Sequence, residues 1–210
     1  LHCSDETIEA LKLLVAKDGV LVARNQSMTP AEQAAFATRL GELFPSPKPS
    51  ETVPEGLIQI KADERSKGAA GTAWHTDVSS EARPPSISML RMEVVPPVGG
   101  DTLFMDMRQV FSNLSAKMQD LLKQLSARHD PVGHYLYLSG QKALHELPSG
   151  HHPIVRQIPE TGDVALYVNE GFTRGIDGLA ESESKFLLRF LFDTIRASVP
   201  AQIRVKWQPD

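Results

Sequence analysis

In the stretch AWHTDVSSEARPPSISMLRMEVVPPVGGDTLF, Ala73 to Phe104, a histidine and an aspartate stand two residues apart, His75 and Asp77. Imidazole nitrogen and carboxylate oxygen are both ligands for a divalent first-row metal. If the segment runs as a strand, residues i and i+2 share a face, so His75 and Asp77 converge on one point while Thr76 turns away. That geometry supplies two members of a two-histidine, one-carboxylate facial site for Fe(II), whose open positions take a cosubstrate and oxygen. The same spacing also describes an ordinary pair at the end of a surface strand, and a three-residue pattern recurs by chance. The flanking sequence has to decide.

Several elements are legible around the pair. Ser4 suits the cap of a helix with apolar positions at Ile8, Leu11, Leu14 and Val15, and GVLVA, Gly19 to Ala23, reads as a short buried strand. TPAEQAAFATRLGEL carries Thr29 as N-cap, Pro30 at the first helical position, Glu32 closing a capping box and Gly41 at the end. LIQIKA, Leu57 to Ala62, reads as a strand, and DERSKGAAGTA as the loop leading into Trp74 and His75. SISMLR, Ser86 to Arg91, and DTLFMD, Asp101 to Asp106, read as antiparallel strands joined at PPVGG. Asn113 to Ala127 has Met118, Leu121, Leu122 and Leu125 at helical spacing, and His129 to Gly150 reads as a long loop. HPIVRQI and VALYVN flank the turn PETGD as a second hairpin. Leu179 to Ala197 forms a helix with Phe186, Leu187, Phe190 and Leu191 as its apolar face, and QIRVKW closes on a strand. Short strands interrupted by a few helices, without regular βαβ alternation, predict a mainly β, α+β architecture of sandwich or jelly-roll type.

Bulk properties narrow the function classes. At 210 residues one domain, 1–210, is the expectation. A net charge of −4 and a pI of about 6.0 give no electrostatic footprint for nucleic acid or an anionic membrane surface. A single cysteine, Cys3, excludes an internal disulfide and fits a reducing, cytoplasmic setting. No apolar run approaches the ~18 residues of a membrane span, and no leader sequence precedes the first helix. A small-molecule partner is therefore expected, with homo-oligomerisation left open.

Trp74-His75-Thr76-Asp77, the Gly-rich loop before it and GGDTLF after it together resemble the taurine dioxygenase (TauD/TfdA-like) family of Fe(II)/2-oxoglutarate-dependent oxygenases. The resemblance is nearly end to end. GVLVARNQSMTPAEQAAFATRLGEL is similar to the family's N-terminal strand and helix, WHTDVSSEARPP to its proximal iron site and GGDTLFMDM to its cosubstrate strand. His152 to Leu179 resembles the later hairpin, and LLRFLF with IRVKWQP the helix and strand that follow. The resemblance implies a double-stranded β-helix (jelly roll, cupin-like), with His75 and Asp77 as iron ligands. It also implies Thr102, 27 positions after His75, as hydroxyl donor to the distal carboxylate of 2-oxoglutarate. Val78, Phe172 and Arg174 fall on the substrate side by the same carry-over. The implied reaction couples O2 and conversion of 2-oxoglutarate to succinate and CO2 with hydroxylation of a small, anionic substrate such as a sulfonate, sulfate ester or phenoxyalkanoate. Because Asp77 is present where halogenating relatives carry a small residue, hydroxylation is favoured over halogenation.

The family's third ligand, a distal histidine, and its 2-oxoglutarate-binding arginine are expected beyond residue 210, together with the closing C-terminal strands. His129, His134, His145, His151 and His152 do not lie in a segment resembling the distal one; His151 and His152 are expected to serve structure. FPSPKPSETVPEG lacks the histidine with which taurine-specific members meet the sulfonate, which argues against taurine itself. The alternatives are an amino-acid or natural-product hydroxylase of the same superfamily and a non-catalytic binding module retaining the fold.

Overall fold

The computed structural model describes residues 3–45, 53–63, 71–131 and 147–209, which fall into two compact units. The first comprises Leu1–Arg65, Ile87–Phe104 and Ile203–Asp210; the second comprises Ser66–Ser86 and Met105–Gln202. Most of FPSPKPSETVPEG, much of the loop before Trp74, and His134 and His145 lie outside the described residues.

In the first unit, local capping chemistry shapes the helices as expected. Helix α1, Asp5–Asp18, starts where Ser4 Oγ accepts the Thr7 N–H and ends at Gly19, whose φ of 81° suits a residue without a Cβ. Helix α2, Pro30–Leu40, carries the full Thr29/Glu32 capping box and ends at Gly41. Arg39 ties the two helices, donating to the Cys3 carbonyl at 2.7 Å and to Asp5 at 2.8 Å. Strand β1, Thr102–Met105, follows the Gly99-Gly100 turn, where both residues have positive φ. Its partner is the strand Gln202–Val205, not Ser86–Arg91. Gly19–Ala23, Leu57–Ala62 and Ser86–Arg91, all expected as strands, join no ladder, and Leu21, Ile58, Ile60 and Leu90 are about half exposed. Apolar alternation marks a segment that suits a pleated surface; it does not supply the edge that pairs with it.

The second unit holds the buried core. Helices α3, Met107–Ser112, and α4, Ala116–Leu122, precede strand β2, Ser126–His129. The helix expected over Asn113–Ala127 is thus shorter than its sequence period: Ser115 caps α4, the chain turns after Leu122, and Ser126-Ala127 already pair as strand. The expected loop from His129 to Gly150 is strand at both ends, and residues 132–146 lie outside the described residues. Strands β3, Gly150–Pro153, and β6, Thr173–Ile176, flank β2 antiparallel, with Ala127 opposite His152 and Ile176, and a bulge at Arg128/His129. Strands β4, Val155–Gln157, and β5, Val164–Leu166, form the expected hairpin around PETGD. Helix α5, Glu181–Ala197, buries Leu187, Leu188, Leu191 and Ile195. Phe186, expected on that face, is 77% exposed, and Phe190 is 39% exposed; strand β7, Gln202–Val205, follows. Leu122, Ile154, Leu166 and Leu191 meet with Val110, Phe111 and Ile176 in one apolar cluster. Helices flanking several antiparallel strands match the expected α+β class.

Candidate active site

His75 and Asp77 lie in the second unit, on extended chain that enters a turn at Asp77 and not on a ladder strand as expected. They converge nonetheless: His75 Nε2 is 3.4 Å from Asp77 Oδ1. The other ring nitrogen, Nδ1, is 2.9 Å from the Ala73 carbonyl, which can only accept, so Nδ1 carries a proton; Nε2 faces Asp77 as a donor when the ring is charged, and has a lone pair to offer a metal when the ring is neutral. Two donors about 2.1 Å from one metal at a right angle lie about 3 Å apart, so the pair fits adjacent positions on a divalent ion. The backbone carbonyl on Nδ1 is the orienting contact that metal-binding histidines commonly keep. Hydrogen bonding to Asp77 is the main cause that raises the His75 pKa above its ordinary value, against the opposing effect of burial. Val78, next in the chain, has φ of 44°, a left-handed conformation that a β-branched residue adopts only under constraint.

That constraint comes from a buried polar network. Ser79 and Ser80 are fully buried. Ser79 Oγ lies 3.0 Å from His129 Nδ1 and accepts from Asn169 Nδ2 at 3.2 Å, while His152 Nε2 donates to the Ser79 and Glu81 carbonyls at 2.9 and 3.0 Å. Asn169 also closes the turn that follows β5: its Oδ1 accepts the Phe172 N–H at 2.8 Å, and its backbone exchanges bonds with Thr173. The rings of His129, His152 and Tyr167 pack at 5.3 to 5.5 Å, and Arg156 lies over Tyr167. Burial, reinforced by the charge at His152, pushes the His129 pKa down to about 4; burial lowers that of His152 too. These histidines support the turn. His151 faces outward, with Nδ1 2.9 Å from Asp177.

The Asn169–Thr173 turn backs His75 directly. Gly171 N–H donates to the Trp74 carbonyl at 3.1 Å, and a Cβ on Gly171 would stand 2.8 Å from His75 Cβ. Glycine is therefore needed here for close approach. We expect Gly171→Ala to displace the His75 segment and destabilise by about 1–3 kcal/mol. Gly175→Ala, where nothing lies within 4 Å of the added carbon, is expected to shift stability by no more than about 0.5 kcal/mol. Urea midpoints of the two variants test the contrast, and equal midpoints would refute the contact.

Phe172 is buried at 2% exposure. Arg174 donates to the carbonyls of Glu170, Gly171 and Thr173, holding the same turn from its other side. Thr102 belongs to the first unit, where its Oγ1 accepts from Trp207 Nε1 at 2.8 Å. An indole only donates, so this bond leaves the Thr102 proton for another acceptor. Among the described residues no group of three histidine, cysteine, aspartate or glutamate side chains could hold a metal, so none of His129, His151 and His152 completes the pair. An open groove of about 420 Å³ beside Arg174 and α5 is not lined by His75 or Asp77, and its Lys185, Arg189 and Arg196 are paired with acidic neighbours.

The sequence singles out His75, Asp77 and Thr102 as candidates but not Ser79, Asn169 or Gly171. The one readable signal was Asn169 standing two residues before Gly171 and four before Thr173, the pattern of a side-chain-closed turn.

Comparison with known proteins gives consistent matches. The family model described as taurine catabolism dioxygenase TauD, TfdA family matches residues 2–210. An alpha-ketoglutarate-dependent sulfonate dioxygenase of Saccharomyces cerevisiae is 34% identical over 98% of this chain and 53% of its own length. An (S)-phenoxypropionate/alpha-ketoglutarate-dioxygenase of Sphingobium herbicidovorans is 32% identical over 83% of this chain and 65% of its own. The crystal structure of a taurine dioxygenase from Burkholderia xenovorans superposes with a TM-score of 0.70 and 29% identity, covering 89% of this chain and 62% of that one. The chain thus spans about half to two thirds of the length of these relatives.

Proposed function

This chain belongs to the taurine catabolism dioxygenase TauD, TfdA family, and from that premise we propose that it is the Fe(II)- and 2-oxoglutarate-binding part of a dioxygenase. It would hydroxylate a small anionic organic substrate of sulfonate, sulfate ester or phenoxyalkanoate type and release succinate and CO2. The carrying observation is the convergence of His75 Nε2 and Asp77 Oδ1 at 3.4 Å, with Nδ1 oriented by Ala73. The names of the yeast and Sphingobium relatives support cosubstrate and substrate class.

In this reading the chain is a single oxygenase domain whose strands belong to a double-stranded β-helix. His75 and Asp77 would be two of the protein groups that hold the iron. Bound there, Fe(II) supplies the oxygen chemistry that couples decarboxylation of 2-oxoglutarate to substrate hydroxylation. Thr102 would donate a hydrogen bond to the distal carboxylate of 2-oxoglutarate, its oxygen already accepting from Trp207. Val78 adjoins Asp77, Phe172 follows the glycine against His75, and Arg174 anchors that turn; these three belong to the substrate side. Among the described residues no helix is long and apolar enough to cross a membrane.

Anaerobic titration of the full-length protein with Fe(II) and then 2-oxoglutarate tests the reading. A visible metal-to-ligand charge-transfer band that saturates with one equivalent of each is expected. No band in folded protein would overturn it.

A further inference from the structure

Asn169 joins its own turn to the buried chain just past the His75–Asp77 pair. Its Oδ1 holds the Phe172 N–H and its Nδ2 holds Ser79 Oγ, two residues past Asp77. On the other flank, Gly171 of the same turn bonds the Trp74 carbonyl, one residue before His75. The segment 74–79 is therefore pinned at both ends to one five-residue turn, Asn169–Thr173. Asn169, Ser79, Phe172 and Thr173 are each at most 6% exposed, so water does not replace these bonds readily. The left-handed Val78 lies within the pinned segment, where an unpinned chain would relax its backbone.

We propose that Asn169, acting through Ser79, is a positioning residue for His75 and Asp77: it fixes the backbone that sets the separation of the two donor atoms. The proposal rests on the reading of His75 and Asp77 as metal ligands. A primary amide suits the task because it accepts at one end and donates at the other, and so bridges a backbone N–H and a hydroxyl. Since the amide nitrogen only donates, the Ser79 oxygen accepts from it, and the Ser79 hydroxyl proton is available to Nδ1 of a neutral His129. His129 in turn lies 3.4 Å, through Nε2, from Thr173 Oγ1, which closes the network back on the turn. A loosened pair would still bind metal, but more weakly, as is common when the groups behind first ligands are removed.

Mn(II) titration of the full-length protein, with the free ion followed by EPR, tests this. Asn169→Ala and Ser79→Ala are each expected to raise the Mn(II) Kd by about 10–100-fold. The double variant is expected to do no worse than the weaker single one, because both remove one link. Ser80→Ala is the control: its hydroxyl is buried, adjacent to Ser79 and without a partner among the described residues, and its Kd is expected to stay within about twofold of wild type. If Asn169→Ala does not fold, Ser79→Ala carries the same expectation with a smaller change. A lowered melting temperature with unchanged Kd in the variants would reduce Asn169 to a structural residue and overturn the proposal, as would single effects that multiply in the double variant. His75→Ala separates the two levels. If it binds Mn(II) like wild type, the ligand reading falls and the positioning role with it; if it loses binding while Asn169→Ala does not, only the positioning role falls.

Discussion

Replacing His75 by alanine in the full-length protein is expected to lower succinate formation from 2-oxoglutarate by on the order of 10³-fold or more, equivalent to about 4 kcal/mol of lost transition-state stabilisation. The reason lies in the ligand count. A facial site holds its metal through three protein groups, and removing one leaves an ion that water and buffer can strip. Asp77→Ala is expected to fall as far, for an added reason: the carboxylate is the anionic group of the pair and attracts a dication by charge as well as by its lone pair. The fold should tolerate both changes. Asp77 is half exposed and its pairing with His75 is open to solvent, where such pairs contribute little to stability. Activity and stability are thus expected to separate, with far-UV circular dichroism unchanged and succinate lost. The assay, read by mass spectrometry against a panel of sulfonates, sulfate esters and phenoxyalkanoates, also sorts the substrate classes. Undiminished succinate formation in either variant would remove the pair from the chemistry.

What the sequence disclosed was what depends on neighbours in the chain. The Thr29-Pro30-Glu32 start, the Gly41 end and the PETGD hairpin were legible because caps and tight turns are written in a few adjacent residues. His75 and Asp77 were legible for the same reason, being two residues apart. The pairing of distant strands was not. Thr102–Met105 pairs with Gln202–Val205 about a hundred residues away, and no local pattern says so. β2 was hidden because helical spacing runs on through Leu125, and because a histidine suggests a loop; His129 is nevertheless fully buried, since Ser79, fifty positions earlier, meets its ring. On α5, aromatic size misled: the helical period turns Leu187, Leu188, Leu191 and Ile195 inward and leaves Phe186 outside. Asn169 and Ser79 carry no spacing signal toward one another, so their bond is visible only in the folded chain.

That same buried network makes stability depend on pH in a window set by histidine. His129 is held neutral: burial, with the nearby charges at His152, Arg174 and Arg156, brings its folded-state pKa to about 4 against an ordinary 6.5. As pH falls below 6.5 the unfolded chain takes up a proton that the folded chain refuses, so the unfolded state gains. The stabilisation is complete above pH 6.5, declines between 6.5 and 4, and levels off below, where folded His129 is protonated as well. Over that span the loss from His129 is about 3 kcal/mol, at up to about 1.4 kcal/mol per pH unit. His152, also lowered by burial, adds in the same direction. His75 acts oppositely, because its raised pKa favours the folded state at low pH and loses that contribution as pH rises through it, but it is partly exposed beside a half-exposed partner and offsets little. Asp106, whose pKa is lowered mainly by its hydrogen bond to Arg108 against the effect of burial, contributes above 3.8 and is lost only in stronger acid, so it leaves the window clear. Urea midpoints of metal-free protein at pH 7.5, 6.5, 5.5 and 4.5 are expected to fall steeply across the last three points. His129→Gln, which has no proton to refuse, is expected to be less stable at pH 7.5 and flatter below it; a slope equal to that of wild type would show that the acid sensitivity lies elsewhere.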